Sequence, residues 1–337
     1  MEQVTTAAPV AAPLFPSRPL YARLVSVSLF RLRQVGAFVR LGRPLFLGGG
    51  FVLYGLGAAV AVQAGACVSG AIDWRRFVWG QIAITATQLM THYCNDYCDY
   101  EADRANATPT RWSGGSRVLP AGELPRAVAL VAALALALVA IAATAYLVTR
   151  AGAAAGAGVL LAAAILLSWE YSAPPLRLHS TGWGELDVAL VVSFLTPLIA
   201  FDLQAGRLAA LPVLAVLPLC CLQFAMLLAI EFPDAAGDAA TGKRTLVVRL
   251  GDDWAARLYQ IALVAAYASL MLAVAGGLPP LVALCALAPS PIAAWQFARM
   301  QRGAYRDAAS WESLAFWSVA LLIATGAAEL VGFVIAS

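Results

Sequence analysis

Long apolar runs separated by short polar segments fill the chain from about residue 45 to its end. Nine of these runs have the roughly 20 residues that an α-helix needs to cross a bilayer. The predicted spans are 45–66, 76–97, 126–149, 152–171, 186–203, 211–231, 256–275, 278–298 and 313–335. Glycine and proline occur inside several of them, which transmembrane helices tolerate. The pattern predicts an all-α, polytopic membrane protein with about nine transmembrane helices.

The N-terminal segment has a different pattern. Residues 1–20 contain proline and alanine and lack the basic region with which a secretory signal begins, so we predict a disordered cytoplasmic tail. The segment that follows, up to residue 43, mixes arginine with apolar side chains, which is typical of a helix lying on anionic lipid. Residues 21–337 are predicted to form a single transmembrane domain.

Composition agrees with a membrane protein and excludes several other classes. Of the 337 residues, 61% are apolar and 12% are charged, and the mean hydropathy is +0.78, which is a poor fit to a soluble fold. The net charge of +3 is small and scattered, and it gives no reason to expect nucleic acid as a partner. The six cysteines form no CxxC motif and the chain has two histidines, so neither a zinc site nor a disulfide is expected.

The distribution of basic residues predicts an orientation. With the N-terminus inside, the inner segments contain 18 of the 22 lysine and arginine residues and the outer loops contain 4. Because basic residues concentrate on the cytoplasmic side, the longer loops at 98–125, 172–185 and 232–255 are expected to face the cytoplasm. The C-terminus is then expected outside.

Two of the predicted helices end in carboxylates spaced three or four residues apart. The residues that share one face of the first, within an arc of about 80°, are Gln88, His92, Asn95, Asp99 and Asp103. The corresponding polar residues of the second are Gln223, Glu231, Asp234 and Asp238. Acidic residues at membrane depth are costly and usually mark a functional site, whereas a solvated helix end is the structural alternative.

The acidic residues and the nearby basic residues together suggest a metal and a phosphate. Facing carboxylates repel one another unless a cation lies among them, and oxygen ligands favour a hard metal, most often Mg²⁺ with a phosphate-bearing ligand. Lys243 and Arg244 follow the second cluster, Arg177 follows a Pro-Pro turn, and Arg117 lies in the first long loop. Such cations can hold diphosphate oxygens.

Four short motifs carry a resemblance to a known family. Residues 95–103 (NDYCDYEAD) resemble the NDxxDxxxD motif of the UbiA superfamily of membrane prenyltransferases, and residues 234–238 (DAAGD) resemble its second DxxxD motif. Residues 242–251 (GKRTLVVRLG) are similar to the segment that follows that motif, and residues 171–177 (YSAPPLR) resemble the YSxPPxR turn. With the predicted spans, the resemblance covers residues from about 40 to 335.

The resemblance implies a helical bundle around a central cavity that opens to lipid. It also implies Mg²⁺-dependent transfer of a prenyl group from a polyprenyl diphosphate to a small aromatic acceptor. Carried over to this chain, Asn95, Asp99 and Asp103 would hold one Mg²⁺, and Asp234 with Asp238 would hold the other.

The resemblance implies roles for further residues. Those expected to act in catalysis are Asp96, Asp99 and Asp234, although Asp96 lies off the polar face. Those expected to hold the diphosphate are Arg117, Arg177, Lys243 and Arg244, with Arg43 as a weaker candidate. Those expected to contact substrate are Gln88, His92, Tyr171, Gln223 and Glu231.

The acceptor is less closely defined. Residues 95–119 and 242–251 look most like the 1,4-dihydroxy-2-naphthoate polyprenyltransferases of menaquinone synthesis, whereas Glu231 and Pro233 depart from that branch. Prenylation of 4-hydroxybenzoate or of a specialised aromatic metabolite therefore stays open. A terpene cyclase on the same scaffold and a cation or lipid transporter are further alternatives. The expected location is the bacterial inner membrane, with the active site facing the cytoplasm.

Overall fold

The computed structural model describes residues 33–337, so the tail predicted for residues 1–20 lies outside the described residues. Within them the regular structure is helical, without a β-strand. The helices are α1 (33–41), α2 (Leu47–Gln63), α3 (Trp74–Cys98), α4 (Tyr100–Ala105), α5 (Arg126–Thr149), α6 (Ala155–Glu170), α7 (Gly184–Val188), α8 (Thr196–Ala205), α9 (Ala210–Glu231), α10 (Ala235–Ala240), α11 (Leu246–Leu250), α12 (Asp252–Ala275), α13 (Pro280–Leu287), α14 (Ser290–Gln301) and α15 (Ala308–Ala336). A π-helical segment, Ala189–Leu195, joins α7 to α8.

Each predicted span overlaps a helix or a run of consecutive helices. By length and hydropathy, six helical segments of the described part could cross a membrane, or seven if α13 and α14, which meet at 45°, form one span. Helix α6 has only 16 residues, and α3 has charged residues near its start and polar residues near its end. The all-helical, membrane-spanning fold is confirmed, whereas the count of nine stays a prediction.

The helices begin and end at residues whose chemistry favours a boundary. The Asp73 carboxylate accepts a hydrogen bond from the Arg76 backbone N–H at 3.1 Å and so caps the start of α3. Gly206 takes a left-handed conformation, with φ 65°, at the end of α8. Pro289 lies at the bend between α13 and α14.

Small residues let the helices approach one another closely. Helix α3 packs along α5, α9 packs against α12 and α15, and α2 packs against α8 and α15. Ala83, Ala143 and Ala157 are buried in the cluster formed by α3, α5 and α6. Such small side chains are typical of membrane helix interfaces, where close backbone packing replaces the hydrophobic driving force.

The two acidic helix ends meet on one side of the bundle. Helices α4 and α10, which follow α3 and α9, pack against each other. Gly237 permits this approach, because a Cβ atom there would lie 3.0 Å from the Asn106 Cα atom. The Asn106 amide then donates a hydrogen bond to Asp234 Oδ1 at 2.7 Å. The fold therefore brings together two motifs that are more than a hundred residues apart in sequence.

Candidate active site

A cavity of about 230 Å³ lies between the helices, with walls from α2, α3, α6, α7, α9 and α15 and from the loop after α4. One part is apolar, with Leu53, Ile84, Val191 and Leu322 among its lining residues. Another part carries the acidic motifs and their basic neighbours. A cavity with these two parts suits a ligand that has a charged head and an apolar tail.

Most of the site residues predicted from sequence line this cavity. They are Gln88, His92, Asn95, Asp99, Asp103, Tyr171, Gln223, Glu231, Asp234, Asp238 and Lys243. The weaker candidate Arg43 lines it as well. Since these residues come from segments of the chain that are far apart in sequence, folding rather than sequence proximity assembles the site.

Lys243 joins the two acidic motifs. Its Nζ atom lies 3.0 Å from Asp99 Oδ2 and 3.4 Å from Asp238 Oδ1. Burial opposes the charged form of the lysine, but the two carboxylates outweigh it and hold the pKa of Lys243 well above its usual value. A permanent positive charge is thus fixed where the two motifs meet.

His179 supports Asp99 from the other side. Its Nε2 atom lies 2.6 Å from Asp99 Oδ1, and its Nδ1 atom lies 2.6 Å from the Tyr171 carbonyl oxygen. Burial alone would raise the pKa of Asp99, but the adjacent His179 and Lys243 hold that pKa below its usual range. Asp99 is therefore a fixed carboxylate with both oxygens oriented by neighbours.

The loop after α4 positions Asp234. Its Oδ2 atom accepts a hydrogen bond from the Gly114 backbone N–H at 3.0 Å, opposite the contact with Asn106. Gly114 and Gly115 both have φ 72°, a conformation that favours glycine. Gly115 also lies against Asp103, because a Cβ atom there would be 2.0 Å from Asp103 Oδ2. The glycine pair thus lets the loop backbone reach both acidic motifs.

Asp96 is buried behind the cavity wall, against Arg43. Its side chain is outside the cavity lining and accepts hydrogen bonds from Arg43 at 2.6 Å and from the Ser116 backbone N–H at 3.2 Å. In this position Asp96 holds Arg43, and its predicted catalytic role stays a prediction. The Arg43 guanidinium, whose Nε has no partner, lines the cavity and also contacts Asn95 at 3.3 Å.

Three of the arginines predicted to hold diphosphate are outside the cavity lining. Arg117 donates a hydrogen bond to the Asp103 carbonyl oxygen. The side chains of Arg177 and Arg244 are exposed, and Arg244 contributes its backbone N–H to the Ser180 carbonyl oxygen at 3.0 Å. Among the described residues, the basic side chains that line the cavity are those of Arg43 and Lys243.

Two residues near the site were missed from sequence. His179 is one of only two histidines and follows the Pro-Pro turn closely, which was the available signal. Asp187 is a carboxylate at the start of an apolar span, and it lines the cavity. An acidic residue in such a span is itself a sign of function.

The donor set fits a hard divalent cation that shares its ligands with a phosphate. Asp103 Oδ2 and Asp238 Oδ2 are buried without a hydrogen-bond partner. Among the residues that the structure describes, no three His, Cys, Asp or Glu side chains gather closely enough to hold one metal ion by themselves. Mg²⁺ commonly takes one or two carboxylates and completes its shell with water and substrate phosphate, and these residues match that form of binding.

Burial also alters the protonation of these acids. It raises the pKa of Asp103 to about 8, against the opposing effect of Arg43. It raises the pKa of Asp238 to about 6, against the opposing effect of Lys243, and it raises that of Asp234 as well. A carboxylic acid that holds its proton near neutral pH must release it to become a metal ligand.

An all-helical membrane bundle, with a cavity that is charged in one part and apolar in another, is the architecture of a membrane-embedded enzyme for an amphiphilic substrate. The model of the UbiA prenyltransferase family matches residues 42–320. Since the match spans most of the chain, the protein belongs to that family. No curated protein sequence matches it.

Solved structures share the fold at low sequence identity. A digeranylgeranylglyceryl phosphate synthase is 14% identical with a TM-score of 0.62, over 90% of this chain and 99% of that one. A UbiA homolog from Aeropyrum pernix K1 is 17% identical with a TM-score of 0.61, over 83% and 97%. A UbiA homolog from Archaeoglobus fulgidus bound to GPP and Mg²⁺ is 14% identical with a TM-score of 0.54, over 88% and 99%. Identities this low show the shared fold alone.

Proposed function

We propose that the protein transfers a prenyl group from a prenyl diphosphate to a small aromatic acceptor, with Mg²⁺ as cofactor. The observation that carries the proposal is the contact of Lys243 with Asp99 of the first motif and with Asp238 of the second, at the charged part of an otherwise apolar cavity. The family match supports it, as does the A. fulgidus homolog bound to GPP and Mg²⁺.

The charged part of the cavity would bind the diphosphate. Bound Mg²⁺ supplies Lewis-acid neutralisation of the diphosphate oxygens. The residues that would hold it are Asn95, Asp99, Asp103, Asp234 and Asp238. Lys243 and Arg43 add fixed positive charge where negative charge develops as the diphosphate leaves, and such preoriented charge stabilises the transition state. Asp96 keeps Arg43 in place, and His179 keeps Asp99 in place.

The apolar part of the cavity would hold the prenyl chain. Aromatic side chains also line the wall, and the rings of Phe46 and Trp112 lie 5.8 Å apart and edge to face. An allylic cation that forms when the diphosphate leaves can be stabilised by aromatic faces. Exclusion of water by the apolar wall would protect that cation from hydrolysis.

The acceptor and the location are finer proposals. The sequence favours 1,4-dihydroxy-2-naphthoate, and thus menaquinone synthesis, with 4-hydroxybenzoate or a specialised aromatic as alternatives. The synthase with the similar fold is named for a glyceryl phosphate product, so fold similarity leaves the acceptor open. The proposed location is the bacterial inner membrane, and the charge asymmetry of the loops supports an orientation in which the charged cavity end faces the cytoplasm.

A substrate matrix tests the proposal. The purified protein is incubated with prenyl diphosphates of several lengths and with aromatic acceptors, and products are read by mass spectrometry. We expect a prenylated aromatic and diphosphate release that requires Mg²⁺, and we expect Asp99→Ala and Asp234→Ala to abolish both. Undiminished turnover in EDTA would contradict the proposal, as would cyclic hydrocarbon formed from prenyl diphosphate alone.

A further inference from the structure

We propose that Asp187 binds a hydroxyl group of the aromatic acceptor and takes its proton during prenyl transfer. Asp187 belongs to neither acidic motif and lies at the end of α7, where the fifth predicted span begins. The proposal rests on the proposed function and assigns a residue to the step at which the acceptor loses a proton.

Asp187 is buried in the cavity wall without a partner. Its exposure is 6%, and its Oδ1 atom has no hydrogen-bond partner. None of the ion pairs among the described residues involves it. An unpaired carboxyl group in such a place is destabilising unless a ligand satisfies it. A hydrogen-bond donor on a ligand in the cavity would do so.

The helix that carries Asp187 packs directly on the support of the first motif. A Cβ atom at Gly184 would lie 2.6 Å from the His179 Cα atom and 3.2 Å from Tyr171 Cε2. His179 in turn contacts Asp99. Since an α-helix rises about 1.5 Å per residue, Asp187 lies about 4.5 Å along the axis from that contact. Asp187 lines the same cavity as Asp99.

Two further acids, on α7 and at the end of α9, belong to neither acidic motif. Glu231 also lines the cavity, and its Oε2 atom is likewise buried without a hydrogen-bond partner, whereas Glu185 is outside the lining. Glu185 itself accepts a hydrogen bond from the Leu246 backbone N–H at 2.7 Å. Around Asp187 the cavity wall continues with Val188 and Val191. Glu231 lies close before the second motif, whereas Asp187 adjoins these valines, and an apolar wall beside a carboxyl group suits a flat ring held through one hydroxyl.

The proposed step balances as follows. The acceptor hydroxyl donates a hydrogen bond to the Asp187 carboxylate, which raises the electron density of the ring. A ring carbon forms the bond to C1 of the prenyl group as the bond between C1 and the diphosphate oxygen breaks, and the hydroxyl proton moves to Asp187. The diphosphate leaves with the bonding electron pair. Asp187 then returns its proton to the oxygen, which restores the hydroxyl, and takes the proton that the ring carbon loses. That single proton passes from Asp187 to solvent, so one proton is released overall.

Asp202 provides a matched control. It lies on α8, in the same apolar span as Asp187, with an exposure of 1% and a buried Oδ2 atom that has no hydrogen-bond partner. It is outside the cavity lining. Replacing either aspartate by asparagine removes a similar buried acid from the same span, and only one of the two changes alters the cavity wall.

The experiment compares Asp187→Asn and Asp202→Asn in two assays, prenyl transfer to an aromatic that the wild type accepts and binding of the prenyl diphosphate with Mg²⁺. We expect Asp187→Asn to lose at least about 100-fold in kcat, a typical contribution of a general base, while the prenyl diphosphate Kd changes less than threefold. We expect Asp202→Asn to retain kcat within threefold. Asp187→Glu, which keeps a base, should retain more activity than Asp187→Asn.

Varying the acidity of the acceptor hydroxyl distinguishes two roles for Asp187, that of a base and that of a residue that only shapes the cavity wall. Fluorinated phenolic acceptors lose their hydroxyl proton more readily, so the rate deficit of Asp187→Asn should shrink as acceptor acidity rises. A constant deficit, or an equal loss of prenyl diphosphate binding, would overturn the assignment. Unchanged kcat in Asp187→Asn would overturn it too, whereas failure of the wild type to prenylate any aromatic would instead contradict the proposed function.

Discussion

Lys243 Nζ lies 3.0 Å from Asp99 Oδ2, although 144 positions separate the two residues in the chain. The contact joins the segment before α11 to the end of α3. It fixes a positive charge beside the first acidic motif and orients one oxygen of Asp99 toward the second. Both properties are what a site for a metal-bridged diphosphate requires.

Lys243→Met should reduce prenyl transfer by at least about 100-fold. The change leaves the buried Asp99 and Asp238 carboxylates without their shared cation and removes charge stabilisation from the leaving group. The matched control is Arg244→Met, whose exposed side chain should be dispensable within about threefold. Steady-state rates with saturating Mg²⁺ give the comparison, and equal losses in the two variants would contradict this account.

His179→Phe should lower both stability and activity. It removes the ring nitrogens that contact Asp99 and the Tyr171 carbonyl oxygen, and an unsatisfied buried acceptor costs about 1–3 kcal/mol. We expect a lower melting temperature in detergent and a 10- to 100-fold loss of activity, the usual range for residues that orient metal ligands. Thr181→Ala, an exposed position nearby whose hydroxyl bonds to the Arg177 and Leu178 carbonyl oxygens, serves as the control. If His179→Phe had the same Mg²⁺ requirement and the same rate of prenyl transfer as the wild type, Asp99 would not need the contact with His179.

Gly237→Val should separate the two acidic motifs. The Cβ atom alone would lie 3.0 Å from the Asn106 Cα atom, so α10 must move away from the end of α4 and stretch the contact between Asn106 and Asp234. We expect at least tenfold weaker binding of Mg²⁺ with prenyl diphosphate, measured by titration. Gly36→Val, where nothing lies within 4 Å, should bind as the wild type does, and similar binding by both variants would argue against the close approach.

Mg²⁺ affinity should rise with pH between about 6 and 8. The pKa values of Asp103, about 8, and of Asp238, about 6, are raised by burial, so these groups hold protons at low pH that the metal must displace. Binding should release close to one proton near pH 7, which calorimetry in buffers of different ionisation enthalpy detects. Asp103→Asn should release fewer protons. An affinity independent of pH would show that these acids do not bind the metal.

The sequence by itself determined the class of fold and the location of the acidic motifs. Hydropathy and helical periodicity are local properties, so apolar runs of about 20 residues predict membrane helices without knowledge of their partners. The motifs at residues 95–103 and 234–238 likewise stood out within single segments. The family match confirmed what these local patterns indicated.

The tertiary structure decided which side chains face the cavity. Lys243 and Arg244 are neighbours in sequence, yet one contacts Asp99 and the other is exposed. Asp96 and Asp99 lie in one motif, yet one holds Arg43 and the other lines the cavity. The direction of a side chain depends on how distant segments pack around it, and composition and spacing within one segment contain no record of that packing.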